Sequence, residues 1–223
     1  MISFTNVKGF AFDLDGVLAD TARFHEIAWH QIADELGTEW TAQLSESLKG
    51  IDRMTSLEKI LAAGNRASDF SEGEKKALTD KKNDNYRQLI STLTPKDILP
   101  GMENFLKELK NAGYKMSVAS ASKNAPFIIE RLGLTDYFEA IVDPDSVSYG
   151  KPDPAIFVAA AGVLGLAPEQ VIGVEDSAAG IQSINDAGEI SIGIGNSNIL
   201  KEAKVNFSST SEITLSEIAS KLS

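Results

Sequence analysis

The run Gly9-Phe10-Ala11-Phe12-Asp13-Leu14-Asp15-Gly16 decides how this chain is read. Its first four residues are apolar and fit one short buried strand that ends at Asp13. The text on either side then changes character. From Thr21 to Leu36 the apolar residues Phe24, Ile27, Ala28, Ile32 and Leu36 recur at helical spacing, with Asp20 placed to cap the start and Gly37 to stop the end. Helical patterns and polar loops continue to about Ile90. Strand patterns return only at Lys115–Ser120, Ala140–Val142, Val171–Val174 and Ile190–Ile194. Helices separate them, for example Pro126–Leu132 and Pro154–Leu164. Strands alternating with helices imply parallel pairing through right-handed crossovers. The expected fold is α/β: a Rossmann-like, doubly wound parallel sheet with an inserted α-helical domain. The expected bounds are residues 1–18 and 93–223 for the sheet domain and 19–92 for the insert. The tail from Val205 to Ser223 carries no clear pattern.

The chain has 223 residues, 43% of them hydrophobic and 24% charged, a balance ordinary for a soluble globular protein with a sizeable core. The absence of cysteine excludes disulfides, thiolate catalysis and cysteine-held zinc or iron–sulfur clusters. A net charge of −11 argues against a nucleic-acid partner. The insert is less acidic than the rest, with 10 basic against 13 acidic residues over 20–92. The first residues lack a basic stretch followed by an apolar run, and no segment approaches the ~20 apolar residues of a membrane span. A cytoplasmic, monomeric protein with no membrane partner is expected.

In an open parallel sheet, ligands sit beyond the carboxyl ends of the strands. Four segments deliver reactive side chains there. The first strand ends in Asp13-Leu14-Asp15, the Lys115 strand in Ser120, and the Val171 strand in Glu175-Asp176. Lys151 follows the Ala140 strand. So many carboxylates would repel one another, and oxygen ligands of this kind suit a divalent cation such as magnesium.

These segments, in this order, resemble the four motifs of the haloacid dehalogenase superfamily: Asp13-Leu14-Asp15-Gly16-Val17-Leu18-Ala19-Asp20-Thr21, Ser120, Gly150-Lys151-Pro152-Asp153-Pro154 and Gly173-Val174-Glu175-Asp176-Ser177. The resemblance implies that Asp13 is a nucleophile that takes a phosphoryl group. It implies magnesium held by the carboxylates of Asp13 and Asp176, the backbone carbonyl of Asp15, and Glu175 directly or in the outer shell. The side chain of Asp15 becomes a general acid/base. Lys151 offsets charge on the phosphate, and Ser120 holds it with the amides of Ala121 and Ser122. Members that cleave carbon–halogen bonds lack the second aspartate, so Asp15 favours phosphoryl chemistry.

The helical insert resembles the smaller of the superfamily's cap domains. Within that branch the resemblance to the hexose-phosphate mutases covers nearly the whole chain. It is carried by Thr21-Ala22-Arg23-Phe24-His25-Glu26-Ile27-Ala28-Trp29, Leu48-Lys49-Gly50-Ile51-Asp52-Arg53, Lys82-Asn83-Asp84-Asn85-Tyr86 and Ser120-Ala121-Ser122-Lys123-Asn124. Thr21, His25 and Trp29 are spaced by four and form one row on a helix, so His25 can contact Asp15. The resemblance gives Arg53 the phosphate that is not being transferred, and Lys49 and Gly50 the hexose. It adds Ser56, Lys82, Lys123 and Asn124 to the substrate site. Acidic residues often found after the arginine are replaced here by Met54-Thr55. The implied reaction interconverts β-glucose 1-phosphate and glucose 6-phosphate through a bound bisphosphate. The rival reading is a sugar-phosphate or phosphoglycolate-type phosphatase. A non-catalytic sensor would have no use for the intact set Asp13, Asp15, Lys151 and Asp176.

Overall fold

The computed structural model describes residues 4–222. The ends of the expected sheet domain, residues 1–3 and 223, lie outside the described residues. Six parallel strands form one sheet: β1 (Gly9–Phe12), β2 (Lys115–Val118), β3 (Ala140–Ile141), β4 (Val171–Glu175), β5 (Ile190–Ile194) and β6 (Val205–Phe207). Their order is β3-β2-β1-β4-β5-β6, with β1 between β2 and β4. Every neighbouring pair is parallel.

The side chains of β1 explain why it sits at the centre. Residues alternate between the two faces of a strand. Phe10 and Phe12 point to one face, where both rings meet Phe105 edge-on and Phe10 also meets Tyr114. Ala11 points to the other, into a cluster with Phe157, Ala160, Ala161 and Ile184. The large-residue face packs on α5 (Met102–Asn111), α6 (Ala125–Arg131) and α9 (Leu215–Lys221); the small-residue face packs on α7 (Ala155–Val163) and α8 (Ala178–Ala187). Truncating one of these buried phenylalanines to alanine costs about 3–5 kcal/mol.

Four further helices lie between β1 and α5: α1 (Ala22–Leu36), α2 (Ala42–Ser47), α3 (Arg53–Ala63) and α4 (Glu72–Ile90). They bury a cluster of their own, centred on Trp29, Ile32, Leu57, Ile60 and Leu61. Among the described residues no helix is long and apolar enough to cross a membrane.

Three local expectations are corrected. The cap position of α1 is Thr21 rather than Asp20, and Thr21 makes no side-chain bond to its own helix. The strand expected over Lys115–Ser120 ends at Val118, because Ser120 already belongs to a turn in which its Oγ accepts from the Ser122 amide. The unpatterned tail contains an edge strand, β6, and a helix, α9. Three residues of strand are too few to display a period.

Candidate active site

The carboxyl ends of β1, β2 and β4 meet at one edge, and the helices α1–α4 cover it. Asp13 follows β1 directly, its amide bonded to the carbonyl of Val174. Asp13, Glu175 and Asp176 converge there, each offering a carboxylate oxygen within 4.8 Å of the others. Lys151 Nζ donates to Asp13 Oδ1 at 2.6 Å and lies 3.6 Å from Glu175 Oε1. Glu175 is held from three further sides. Ser177 donates its hydroxyl, Asp176 its amide, and Gly180 leaves no room for a side chain beside it.

The electrostatics of this cluster follow from burial. Burial and the charge of Asp13 raise the pKa of Glu175 to about 7. Burial, Glu175 and Asp13 raise that of Asp176 well above the usual carboxylate range. Burial opposes the charge of Lys151, but Asp13 and Glu175 outweigh it and raise its pKa. One lysine thus faces three acids. An oxygen-only donor set with surplus negative charge fits a hard divalent cation of the magnesium type.

Asp15 turns away from this trio, and its side chain faces the helical cover. Its Oδ1 accepts from Thr21 Oγ1 at 2.6 Å and from Tyr86 Oη at 3.4 Å. His25 Nε2 stands 3.6 Å from Oδ2. Burial and the Asp13 charge raise the Asp15 pKa to about 6, against the Thr21 bond and the lysines Lys82 and Lys151. Burial, Lys82 and Arg53 hold His25 well below the usual histidine pKa, so its ring is neutral. Its remaining exposure, 29%, is to the cavity described below. Lys82 Nζ sits 2.7 Å from His25 Nδ1 and packs over the rings of Trp29 and Tyr86. With Lys82 as donor, the ring proton lies on Nε2 and faces Asp15.

Asp13 and Asp15 open into a cavity of about 340 Å³. Its lining also includes Lys49, Gly50, Arg53, Ser56, Lys82, Asn83, Ala121, Ser122 and Asn124. Asn83 Oδ1 accepts from Arg53 Nη2 at 2.9 Å and from Asn124 Nδ2 at 3.0 Å, so one amide ties the helical cover to the sheet domain beside the arginine. Asn124 stands at the cap position of α6 but makes no side-chain cap bond there. Lys49 and Arg53 do not share a helix. The chain turns between them at Gly50, where φ is 72°, and α3 starts at Arg53 with Asp52 as its cap. A side chain at Gly50 would collide with Ser177 Oγ, so the turn rests directly on the acidic cluster.

The family model for haloacid dehalogenase-like hydrolases matches residues 7–188. The chain belongs to the haloacid dehalogenase-like hydrolase family. Among curated haloacid dehalogenase relatives, the β-phosphoglucomutase of Bacillus subtilis is 43% identical over 94% of this chain and 92% of its own. A phosphorylated carbohydrates phosphatase of Thermotoga maritima is 30% identical over 82% of each chain. A crystal structure of β-phosphoglucomutase from Clostridium difficile superposes with a TM-score of 0.93 at 42% identity, covering 97% of both chains.

Most expected site residues in this family member gather at the one edge, with three differences in detail. Ser120 is buried beneath the cavity wall, and the Ser122 amide donates to its Oγ rather than into the cavity. Lys123 is outside the cavity, paired with Asp145. Thr21 reaches Asp15 without lining the cavity. Asn83 and Tyr86 were absent from the expected set. The segment Lys82-Asn83-Asp84-Asn85-Tyr86 carries the signal for them, because 82 and 86 share a helical row on α4 and 83 stands beside it.

Proposed function

We propose that this chain is a magnesium-dependent phosphotransferase that interconverts β-glucose 1-phosphate and glucose 6-phosphate. One observation carries the reading. One cavity has acidic residues at Asp13 and Asp15 and a basic, amide-lined region at Arg53, Asn83 and Asn124. A phosphatase needs one phosphate site; a hexose bisphosphate needs two. The identity to β-phosphoglucomutases over nearly the whole chain supports the same reading.

In this account Asp13 carries the phosphoryl group. A hexose hydroxyl attacks the phosphorus, Asp15 takes its proton, and the Asp13 carboxylate leaves. The bisphosphate then turns over in the cavity. Asp13 attacks the other phosphate, and Asp15 returns the proton to the departing sugar oxygen. A group that works in both directions needs a pKa near neutrality, and burial brings that of Asp15 to about 6. Asp13, Asp176, Glu175 and the Asp15 carbonyl would hold magnesium. When bound, it supplies positive charge that offsets repulsion between carboxylate and phosphate. Lys151 supplies further charge from the chain itself.

Residues 19–92 act as a cap domain on a core formed by 1–18 and 93–223. The hinges lie near Ala19–Thr21 and Leu89–Thr92. Arg131 anchors the second hinge through the carbonyls of Ser91 and Leu93. Closure keeps water from the phosphoenzyme. The test is a product balance. With magnesium, β-glucose 1-phosphate and a trace of glucose 1,6-bisphosphate, glucose 6-phosphate should exceed free phosphate throughout. Free phosphate as the main product would favour a phosphatase, as in the Thermotoga maritima relative.

A further inference from the structure

A second cavity of about 510 Å³ also reaches the acidic cluster, sharing Lys49 and Asp176 with the first. Its lining includes Gly16, Glu46, Lys49 and Asp176 together with Ile199 and Ser209. Asp176 is the one acid of the trio that lines both cavities, whereas Asp13 lines only the first. Glu175 lines neither.

We propose that this second cavity is the route by which the divalent cation reaches and leaves Asp176, separate from the hexose cavity. The inference rests on the cation reading of Asp13, Glu175 and Asp176 given above. Three observations carry it. Asp176 also lines the hexose cavity, so a bound sugar blocks that side. The second cavity reaches Asp176 along different walls. It is also large enough: a cation with six waters, at roughly 30 Å³ each, needs about 180 Å³. Its charge has the right sign, because Glu46 and Asp176 both line it against Lys49 alone, and Glu46 holds Lys49 at 2.8 Å. An acidic throat draws cations inward.

Manganese(II) is the probe, because its binding is read by electron paramagnetic resonance without turnover. A route governs rates and leaves equilibrium untouched. Ser209→Trp and Ile199→Trp, both in the lining, should each slow manganese association and its release into excess chelator by the same factor, about tenfold or more for a barrier raised by ~1.4 kcal/mol. The dissociation constant should stay at the wild-type value. Ser209→Ala, which leaves the passage open, should match wild type in both rates. Unchanged rates in both tryptophan variants would overturn the route. So would a weakened dissociation constant with faster release, which marks a distorted site. If the wild-type chain binds no manganese at all, the cation reading itself fails, a result distinct from binding at unaltered rates.

Discussion

Thr21 Oγ1 donates to Asp15 Oδ1 at 2.6 Å, so the residue at the cap position of α1 spends its hydroxyl on a carboxylate and not on its own helix. The bond favours ionised Asp15, whose pKa burial and Asp13 push up to about 6. Thr21→Val removes that support. Asp15 must be ionised to accept a proton, so the acid limb of the kcat/KM profile should move to higher pH. A lost bond to a charged group, about 1.5 kcal/mol, corresponds to about one pH unit. Thr21→Ser should restore the wild-type profile. An unmoved limb in Thr21→Val would separate Thr21 from the proton transfer.

Asn83 should matter through Arg53. Its Oδ1 holds both the guanidinium and Asn124. Asn83→Ala should lower kcat/KM for the mutase reaction about tenfold, the equivalent of one lost positioning bond of ~1.4 kcal/mol. Arg53→Ala should lower it further. Neither should alter hydrolysis of acetyl phosphate, which has one phosphate and no need of the distant grip. Equal loss of both activities would remove the two-phosphate model.

The fold was legible in the sequence wherever a period ran long enough. β1 declared itself through four apolar residues before Asp13, and α1 through a row of apolar residues closed by Gly37, which adopts φ 69°. β6 was not legible, because Val205-Asn206-Phe207 is a three-residue edge strand whose pairing depends on β5. The acidic cluster was visible because strand ends deliver it. The bridging role of Asn83 was not. It depends on α4 and α6 meeting in space, and nothing in the spacing of residues 83 and 124 encodes that contact. Thr21 fits a cap by residue type, yet a buried carboxylate competes more strongly for its hydroxyl than a helix end does.

Lys82 should make binding pH-dependent. Burial and then Arg53 lower its pKa to about 7, against the pull of Asp15. A hexose phosphate brings negative charge into the cavity and raises that pKa. Binding to the magnesium-loaded protein should therefore take up protons between about pH 7 and 9. Calorimetry in two buffers of different ionisation enthalpy reads the uptake. Lys82→Arg, whose guanidinium stays charged, should remove the Lys82 share. Identical proton uptake in both proteins would place the titration elsewhere.

Glu189 should be a stability liability. Both its carboxyl oxygens are buried without a hydrogen-bond partner, and burial raises its pKa well above the usual carboxylate range. Its folded pKa exceeds its unfolded one, so it binds its proton more tightly in the native state. The native state is therefore favoured at low pH, and that advantage is lost as pH rises through the folded pKa. Glu189→Gln should raise the melting temperature at pH 8 and change it little near pH 4. The gain at pH 8 should be about 1–3 kcal/mol. An equal effect at both pH values would show that charge is not the cause.

In the proposed reaction everything depends on Asp13 carrying the phosphoryl group. The most direct measurement is to mix the magnesium-loaded protein with glucose 1,6-bisphosphate, quench within milliseconds and reduce with borohydride, which converts an aspartyl phosphate to homoserine. Peptide mass spectrometry should then find homoserine at position 13 and nowhere else, and Asp13→Asn should show none and no turnover. Homoserine at another aspartate, or full turnover in Asp13→Asn, would contradict the account.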